Sequence, residues 1–321
     1  MNKKAFVTFL MLNDSYLPGA LMVGHALRKQ NTGADVICMV TEDISESAVR
    51  SLSLVFDHLV TVETVYVEHQ RRQERQDRPF WFTRLNALRL GKDGDLGFEY
   101  EKVVLLDADV LPVKNYASLL DVPAPAGILN EDKSKLMYLD GRERAGLTTW
   151  SWHDAYDAVC PHGKRIPKSI TDRVVNDPSN MGLNGSLFIL QPSMAEFRSI
   201  IEDIQRPEIK KLVSDKFTWP DMQYLSMRWS GKWHNVDIKY SAYNGYPRLE
   251  VLNGTHFAGV KPWYFKREPS TVRNHSRYED FQLWFKEYRQ MMSTYPGLGK
   301  SKKLVTLLDE VAANSKDSGS Q

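Results

Sequence analysis

Short apolar runs alternate with longer segments whose apolar residues recur every three or four positions in the N-terminal part of the chain. The short runs predict buried strands over residues 5–12, 35–40 and 58–62. The periodic segments predict a helix before the second strand and another over residues 45–55. Asp14 or Ser15 can cap the first of these helices.

Strands that alternate with helices predict parallel strands joined by crossover helices, so this part of the chain is a Rossmann-like α/β unit. No G-x-G-x-x-G follows the first strand. A dinucleotide-binding function therefore lacks its phosphate-binding turn.

The rest of the chain continues the pattern. Helices are predicted over residues 80–90, from the segment FTWPD at 217–221 through Arg228, and over 300–313. Apolar residues at helical spacing from Phe281 to Met292 predict a further helix with one buried face. Further strands are predicted over 103–106, 184–190 and 232–240. A charge run that includes Arg71, Arg72, Arg75 and Arg78 predicts a solvated loop.

The long polar segment 130–180 contains Trp150 and Trp152 and is expected to form an ordered lid or acceptor insertion. We expect a single domain over residues 1–296. A short helix and a tail follow over 297–321, and residues 314–321 are expected to be disordered.

The composition argues against several classes of protein but does not identify a function. The 321 residues are 42% hydrophobic and carry a net charge of +2, which is typical of a globular protein and argues against a nucleic-acid partner. Two cysteines allow at most one disulfide and no zinc cluster. The first apolar run is short and interrupted, and no segment reaches the roughly 20 apolar residues of a membrane span. We therefore expect a cytoplasmic protein.

The run KVVLLDADVLP, residues 102–112, ends a predicted buried strand in two aspartates. Because side chains alternate along a strand, Asp107 and Asp109 point the same way on either side of Ala108. Adjacent carboxylates repel unless a cation lies between them, and at this end of a strand a divalent metal that holds phosphate oxygens would fit. The alternative interpretation is a simple strand cap that opens a turn.

A second motif, HFAGVKPW at residues 256–263, supports the metal interpretation. The His256 imidazole can complete a metal shell that carboxylates begin. Gly259 allows the backbone to approach a ligand closely, and the Lys261 ammonium suits a phosphate. Together the two motifs predict a site for a metal and a nucleoside diphosphate.

With both motifs in place, the chain resembles the retaining sugar-nucleotide transferases of glycosyltransferase family 8, especially the glycogenins and plant galactinol synthases. The resemblance covers residues 5–263 and implies a GT-A fold, a Rossmann-like, mostly parallel sheet with helices on both faces. Four segments carry it in family order: AFVTFLMLNDSYLPGALMVGHALR, FTRLNALRL with VVLLDADVLP, NGSLFILQPS and HFAGVKPW.

The resemblance also implies a UDP-sugar donor and a bound Mn²⁺, or alternatively Mg²⁺. It allows a homodimer, for which the sequence shows no interface. It assigns the metal to Asp107, Asp109 and His256, the donor to Phe9, Asn13, Tyr16, Arg84, Asp107, Ala108, Asn184, Gly259 and Lys261, and catalysis to Asp221 and Gln223.

Two departures from the family pattern leave the donor sugar open between glucose, galactose and other hexoses. Thr218 stands where glycogenin has an additional aspartate, and Asn130 stands where the family often has a donor-sugar aspartate. The acceptor is equally open, and a glycan, a protein or a small polyol would each suit the family chemistry.

Retention of configuration requires either a carboxylate nucleophile, for which Asp221 is the candidate, or attack from the leaving-group side with Asp221 or Gln223 as positioning groups. A purely structural alternative is that Asp221 caps its helix. Two other functions stay open: a catalytically weak nucleotide-sugar or glycan-binding protein, and a phosphatase of the haloacid dehalogenase type, which also places D-x-D after an apolar strand.

Overall fold

The structure is a computed structural model that describes residues 3–70, 75–129, 160–243, 249–264 and 278–317. Its strands are β1 (Lys4–Leu10), β2 (Asp35–Val40), β3 (His58–Thr61), β4 (Lys102–Leu106), β5 (Val110–Pro112), β6 (Ala126–Leu129), β7 (Leu183–Leu190), β8 (His234–Asn235), β9 (Ala242–Tyr243) and β10 (Gly254–His256). Its α-helices are α1 (Leu17–Lys29), α2 (Glu46–Leu52), α3 (Lys168–Thr171), α4 (Arg173–Asn176), α5 (Met194–Asp203), α6 (Pro207–Lys211), α7 (Pro220–Arg228), α8 (Glu279–Thr294) and α9 (Lys302–Asp317).

The main sheet has seven strands in the order β3-β2-β1-β4-β7-β6-β8. Within it, only β7 runs antiparallel to its neighbours, β4 and β6. Every residue of β7 is buried, which explains the apolar run LFIL in its second half. The predicted α/β fold with a mostly parallel sheet is confirmed.

A second, three-stranded sheet in the order β5-β10-β9 lies directly after the D-x-D turn. Strands β5 and β10 are antiparallel, and their register places His256 opposite Val110. This pairing places the HFAGVKPW motif next to Val110, the residue that follows Asp109. The two motifs are therefore joined by a backbone ladder.

Tight 3-10 turns replace two of the predicted regular elements. The predicted helix 80–90 is a 3-10 helix, Arg78–Leu90, in which the Asn86 side chain donates to the Thr83 carbonyl oxygen (2.8 Å) and so competes with regular helical bonding. The predicted strand 232–240 is reduced to β8. Beyond β8 the Asp237 carboxylate accepts from the Lys239 amide (2.9 Å) and starts a turn.

The two chain ends also differ from expectation. Asn13, rather than Asp14 or Ser15, accepts the capping hydrogen bond before α1, because a single 3-10 turn precedes that helix. Helix α9 extends to Asp317, so residues 314–317 are helical and the prediction of disorder there is wrong. Residues 318–321 lie outside the described part of the chain.

Most of the predicted lid, residues 130–159 with Asn130, Trp150 and Trp152, lies outside the described ranges. The remainder of that segment contains α3 and α4. Cys38 and Cys160 are both buried, and no disulfide joins them in the described part of the chain. None of the helices described here combines the length and the apolar character needed to cross a membrane.

Candidate functional site

A cavity of about 800 Å³ opens at the carboxyl ends of β1 and β4. These strands are parallel neighbours, so residues 11–13 after β1 lie beside the D-x-D turn after β4. The Asp107 amide donates to the Ser186 carbonyl oxygen (3.0 Å), which ties the turn to β7. Both carboxylates, Asp107 and Asp109, line the cavity.

Three side chains in the cavity form a group of potential metal ligands. Ligand atoms of Asp107, Asp109 and His256 all lie within 4.8 Å of one another. One Asp109 oxygen (Oδ1) and His256 Nδ1 are buried and have no hydrogen-bond partner among the described residues. Two carboxylates and an imidazole, with polar atoms left unsatisfied, are a donor set that suits a divalent cation such as Mn²⁺.

A lysine shares this group. The Lys261 ammonium is 2.6 Å from Asp109 although the two residues are 152 positions apart along the chain. Burial alone would raise the pKa of Asp109, but the charges of Lys261 and His256 hold it well below its usual range. Lys261 also lies 5.7 Å from the centre of the Tyr16 ring. A cation is therefore held between the carboxylate and the tyrosine.

Arg84 occupies the other side of the D-x-D turn. Its guanidinium lies 3.1 Å from Asp107 and 3.1 Å from Asp221, donates to the Gly185 carbonyl oxygen (2.5 Å), and lies over the Phe9 ring. Burial raises the pKa of Asp107 to about 6 and raises that of Asp221, while Arg84 opposes both shifts. One buried cation thus faces two carboxylates of the cavity and offsets part of their negative charge.

Helix α1 packs tightly under the D-x-D turn through Gly19. A Cβ added there would lie 2.2 Å from the Ala108 carbonyl oxygen and 2.6 Å from the Trp263 ring. Only glycine allows this approach, because the first contact is backbone that cannot rotate away.

Gly19→Ala is therefore expected to destabilise the fold by about 1–3 kcal/mol, the usual range for overpacking. Urea unfolding followed by circular dichroism measures this loss. Gly299→Ala is the matched control, because an added Cβ meets nothing within 4 Å there. Equal stability of the two variants would contradict the close packing of α1 on the turn.

The structure brings most of the predicted site residues together. Eleven of them line the cavity: Phe9, Asn13, Tyr16, Arg84, Asp107, Ala108, Asp109, Asn184, Asp221, His256 and Lys261.

Two predicted residues lie elsewhere. The Gln223 side chain is fully buried, accepts from the Trp219 amide (2.7 Å) and donates to the carbonyl oxygens of Pro178 (2.6 Å) and Asn180 (2.9 Å). It therefore holds the start of α7 in place and does not line the cavity. Gly259 is exposed and is likewise absent from the residues that line it.

Several lining residues were not predicted from the sequence, among them Arg75, Trp81, Trp219 and Met222. Arg75 belongs to the charge run that was interpreted as a solvated loop, yet its guanidinium packs 4.9 Å from the centre of the Trp81 ring. Arg78 of the same run is 3% exposed, so the loop interpretation is wrong there. The signal missed was the aromatic run FWF, which follows these arginines at residues 80–82.

Known proteins resemble the chain in sequence. Residues 7–141 match the model for "Glycosyl transferase family 8". An uncharacterised protein of Acanthamoeba polyphaga mimivirus is 26% identical over 306 residues, which cover 92% of this chain and 94% of that protein. Human glycogenin-1 is 23% identical over 90% of this chain and 70% of its own length. Galactinol synthase 1 of Arabidopsis thaliana is 21% identical over 96% and 88%.

Solved structures agree in fold. The galactosyltransferase LgtC, in complex with donor and acceptor sugar analogues, superposes with a TM-score of 0.53 at 11% identity, covering 87% of this chain and 94% of that chain. The glycosyltransferase GlyE of Streptococcus pneumoniae superposes with a TM-score of 0.52 at 12% identity, covering 98% and 64%.

The sheet topology and these neighbours show that the chain has the GT-A fold. The family model matches less than half of the chain, so residues 7–141 are similar to glycosyltransferase family 8. The glycogenin and galactinol synthase relatives extend this similarity over most of the chain.

Proposed function

We propose that the protein is a metal-dependent, retaining hexosyltransferase that moves glucose or galactose from a UDP-sugar to a hydroxyl acceptor. One observation carries the proposal: ligand atoms of Asp107, Asp109 and His256 converge within 4.8 Å in the cavity that Lys261 and Arg84 also line. Acidic, imidazole and ammonium groups in one cavity suit a metal-bound diphosphate.

The diphosphate end of the site comprises the three potential ligands and Lys261. A divalent cation bound by Asp107, Asp109 and His256 would supply charge stabilisation to the departing diphosphate. The Lys261 ammonium, now 2.6 Å from Asp109, is placed to stabilise the same charge on the β-phosphate. In this proposal Lys261 exchanges a carboxylate partner for a phosphate partner when the donor binds.

The part of the site proposed to bind the nucleoside lies near the carboxyl end of β1. Tyr16 lines the cavity next to Trp263, with ring centres 5.5 Å apart in an edge-on arrangement. We assign the uracil to Tyr16 and Asn13, and the ribose to the region of Phe9 and Ala108. Asn184 is assigned to the donor sugar, since it lines the cavity from the second position of strand β7.

We assign Asp221 to the sugar side of the site, where it is 1% exposed and has the Arg84 guanidinium 3.1 Å from one carboxylate oxygen. As a nucleophile it would attack the anomeric carbon from the face opposite the diphosphate. In the front-side route a β-phosphate oxygen takes the acceptor proton and Asp221 only stabilises positive charge at the sugar. Either role requires its carboxylate to stay ionised, which Arg84 favours.

The proposal predicts that one UDP-hexose releases UDP in the presence of manganese and that EDTA stops this release. A coupled assay over UDP-glucose, UDP-galactose and other UDP-sugars measures it. The expected loss with chelator is about a hundredfold or more, the scale of metal charge stabilisation in transfer reactions.

The negative outcomes separate the alternatives. Donor binding without release in the presence of any acceptor would identify a binding protein. Full activity in EDTA would remove the metal from the proposal. A cytoplasmic location, a homodimer and a single domain over residues 1–296 stay predictions.

A further inference from the structure

We infer that Thr41 is a positioning residue for nucleotide binding, which acts from outside the cavity by holding a strained turn in the shape that receives the nucleoside. The turn comprises residues 11–13 and is called the Leu12 turn. This inference rests on the proposed function, because it concerns the nucleoside part of the same site.

The Leu12 turn follows β1 directly. Leu12 has a φ of +67°, and across it the Asn13 amide donates to the Met11 carbonyl oxygen (2.8 Å). A hydrogen bond between residues i and i+2 around a residue with positive φ is typical of the rare, strained form of γ-turn. In the part of the chain that the structure describes, the other non-glycine residues with positive φ are Asn31 and Asn115. Asparagine tolerates this conformation better than leucine does.

The strained backbone lies at the wall of the cavity. All three residues of the Leu12 turn line the cavity, and so do Ser15 and Tyr16, which follow it. A strained conformation persists only where the surrounding structure holds it, and such conformations cluster at ligand sites. The strain is therefore located where the nucleoside is proposed to bind.

The Thr41 side chain holds the Leu12 turn from the end of β2. The ladder between β1 and β2 ends at Leu10 and Val40, after which the Thr41 amide donates to the Leu10 carbonyl oxygen (3.3 Å). The Thr41 hydroxyl then accepts from the Leu12 amide (3.0 Å). Thr41 is 3% exposed and is not among the described residues that line the cavity. It therefore supports the turn from behind, out of contact with the nucleotide.

Two further elements hold the residue that follows the turn. The Asp14 carboxylate accepts from the Ser45 amide (3.1 Å) and hydroxyl (2.6 Å), next to the start of α2. The Lys303 ammonium of α9 donates to the Asp14 carbonyl oxygen. Contacts from three separate segments thus fix the turn before a ligand binds. Nucleotide binding then does not have to supply the free energy that orders the turn, which raises the affinity.

Isothermal titration calorimetry with UDP and manganese tests the inference without requiring turnover. Thr41→Val keeps the shape of the side chain but removes the hydroxyl acceptor, and it should weaken UDP binding about tenfold. Thr41→Ser keeps the hydroxyl and should retain most of the affinity. Because ordering the turn costs the same for the bound donor and for the transition state, KM should rise while kcat stays within about twofold of the parent value.

Thr171→Val is the matched control. Thr171 is also buried, and its hydroxyl accepts from the amide of Gly231 (3.1 Å), which likewise has a positive φ, +75°. Glycine adopts that conformation without strain, and neither residue is among those described as lining the cavity. Thr171→Val should therefore leave UDP affinity unchanged, although it also removes a buried hydroxyl.

A second change tests the strain itself. Leu12→Asn in the Thr41→Val background should restore most of the UDP affinity, because asparagine needs less support at positive φ. Thermal unfolding shows whether each variant is folded. If Thr41→Val is not, Asp14→Ala takes its place, because it alters a half-buried position, removes the contact with Ser45 and should weaken UDP binding severalfold.

The inference is overturned if the folded Thr41→Val protein, or Asp14→Ala in its place, binds UDP as tightly as the parent. It is also overturned if Leu12→Asn restores none of the lost affinity. The proposed function fails by a different result, the absence of UDP release from every UDP-sugar by the parent protein. The two failures are therefore distinguishable.

Discussion

Asp109→Asn is expected to abolish manganese binding and to lower donor turnover by about a thousandfold, since a bound metal supplies several kcal/mol of charge stabilisation. Asp109 is the carboxylate shared by the histidine and the lysine, with His256 at 3.4 Å and Lys261 at 2.6 Å. Asparagine keeps the volume of the side chain but removes the negative charge. The change therefore tests the charge and not the packing.

Electron paramagnetic resonance of free and bound Mn²⁺ measures the affinity, and a coupled UDP assay measures turnover. Asp43→Asn is the control, because that aspartate is exposed and lies outside the residues that line the cavity. Thermal unfolding of both variants shows whether each is folded. Manganese affinity that survives in a folded Asp109→Asn protein would refute the assignment of Asp109 as a ligand.

Arg84→Met is expected to destabilise the protein by about 3–5 kcal/mol, the cost of leaving a buried charge without its partner. Arg84 is 6% exposed and faces two carboxylates, Asp107 and Asp221, at 3.1 Å each. Methionine has a similar length and no charge. Urea unfolding gives the free energy of unfolding of the variant relative to the parent.

A second change tests the cause of that loss. In the Arg84→Met background, Asp221→Asn should restore about 1–3 kcal/mol of the free energy of unfolding, because it removes one of the two carboxylates left without a cation. The effects of substitutions at residues in contact are not additive. Arg89→Met is the matched control, since Arg89 pairs with the half-exposed Asp95 and should lose no more than about 1 kcal/mol. Additive losses in the double variant would contradict the charge explanation.

The negative charges of the D-x-D turn are balanced by two positively charged side chains. Two cations, Arg84 and Lys261, are each held against an aspartate of the D-x-D turn, one on either side. Repulsion between Asp107 and Asp109 is thereby offset within the protein itself. Donor binding would have to replace the Lys261 contact, whereas Arg84 stays tied to the Gly185 backbone and to Asp221.

Regular elements with continuous apolar runs could be predicted from the sequence. Strands β2 and β7 and helix α7 have the predicted positions because burial on both faces, or a proline in the first turn, leaves a local pattern. The 3-10 helix Arg78–Leu90 and the short β8 could not be predicted. Their geometry depends on side chains that compete for backbone hydrogen bonds, which periodicity does not report.

The part of the site that lies on a strand could be predicted from the sequence. Strand alternation put Asp107 and Asp109 on the same side, and both line the cavity. Gln223 was assigned to the sugar and acceptor site through the family resemblance, but along a helix a residue two positions from Asp221 points to a different side. Its amide instead binds backbone at Trp219, Pro178 and Asn180.

By itself the sequence indicated the α/β class, the D-x-D motif, the HFAGVKPW motif and the resemblance to glycosyltransferase family 8. The tertiary structure alone decided that His256 and Lys261 meet Asp109, and that two tryptophans from distant segments stack beside Asp221. The physical reason is that local patterns report which face of an element is buried, whereas these contacts depend on the pairing of β5 with β10 and on the packing of α7 against the Arg78–Leu90 turns. Neither of these tertiary contacts produces a periodic pattern in the sequence.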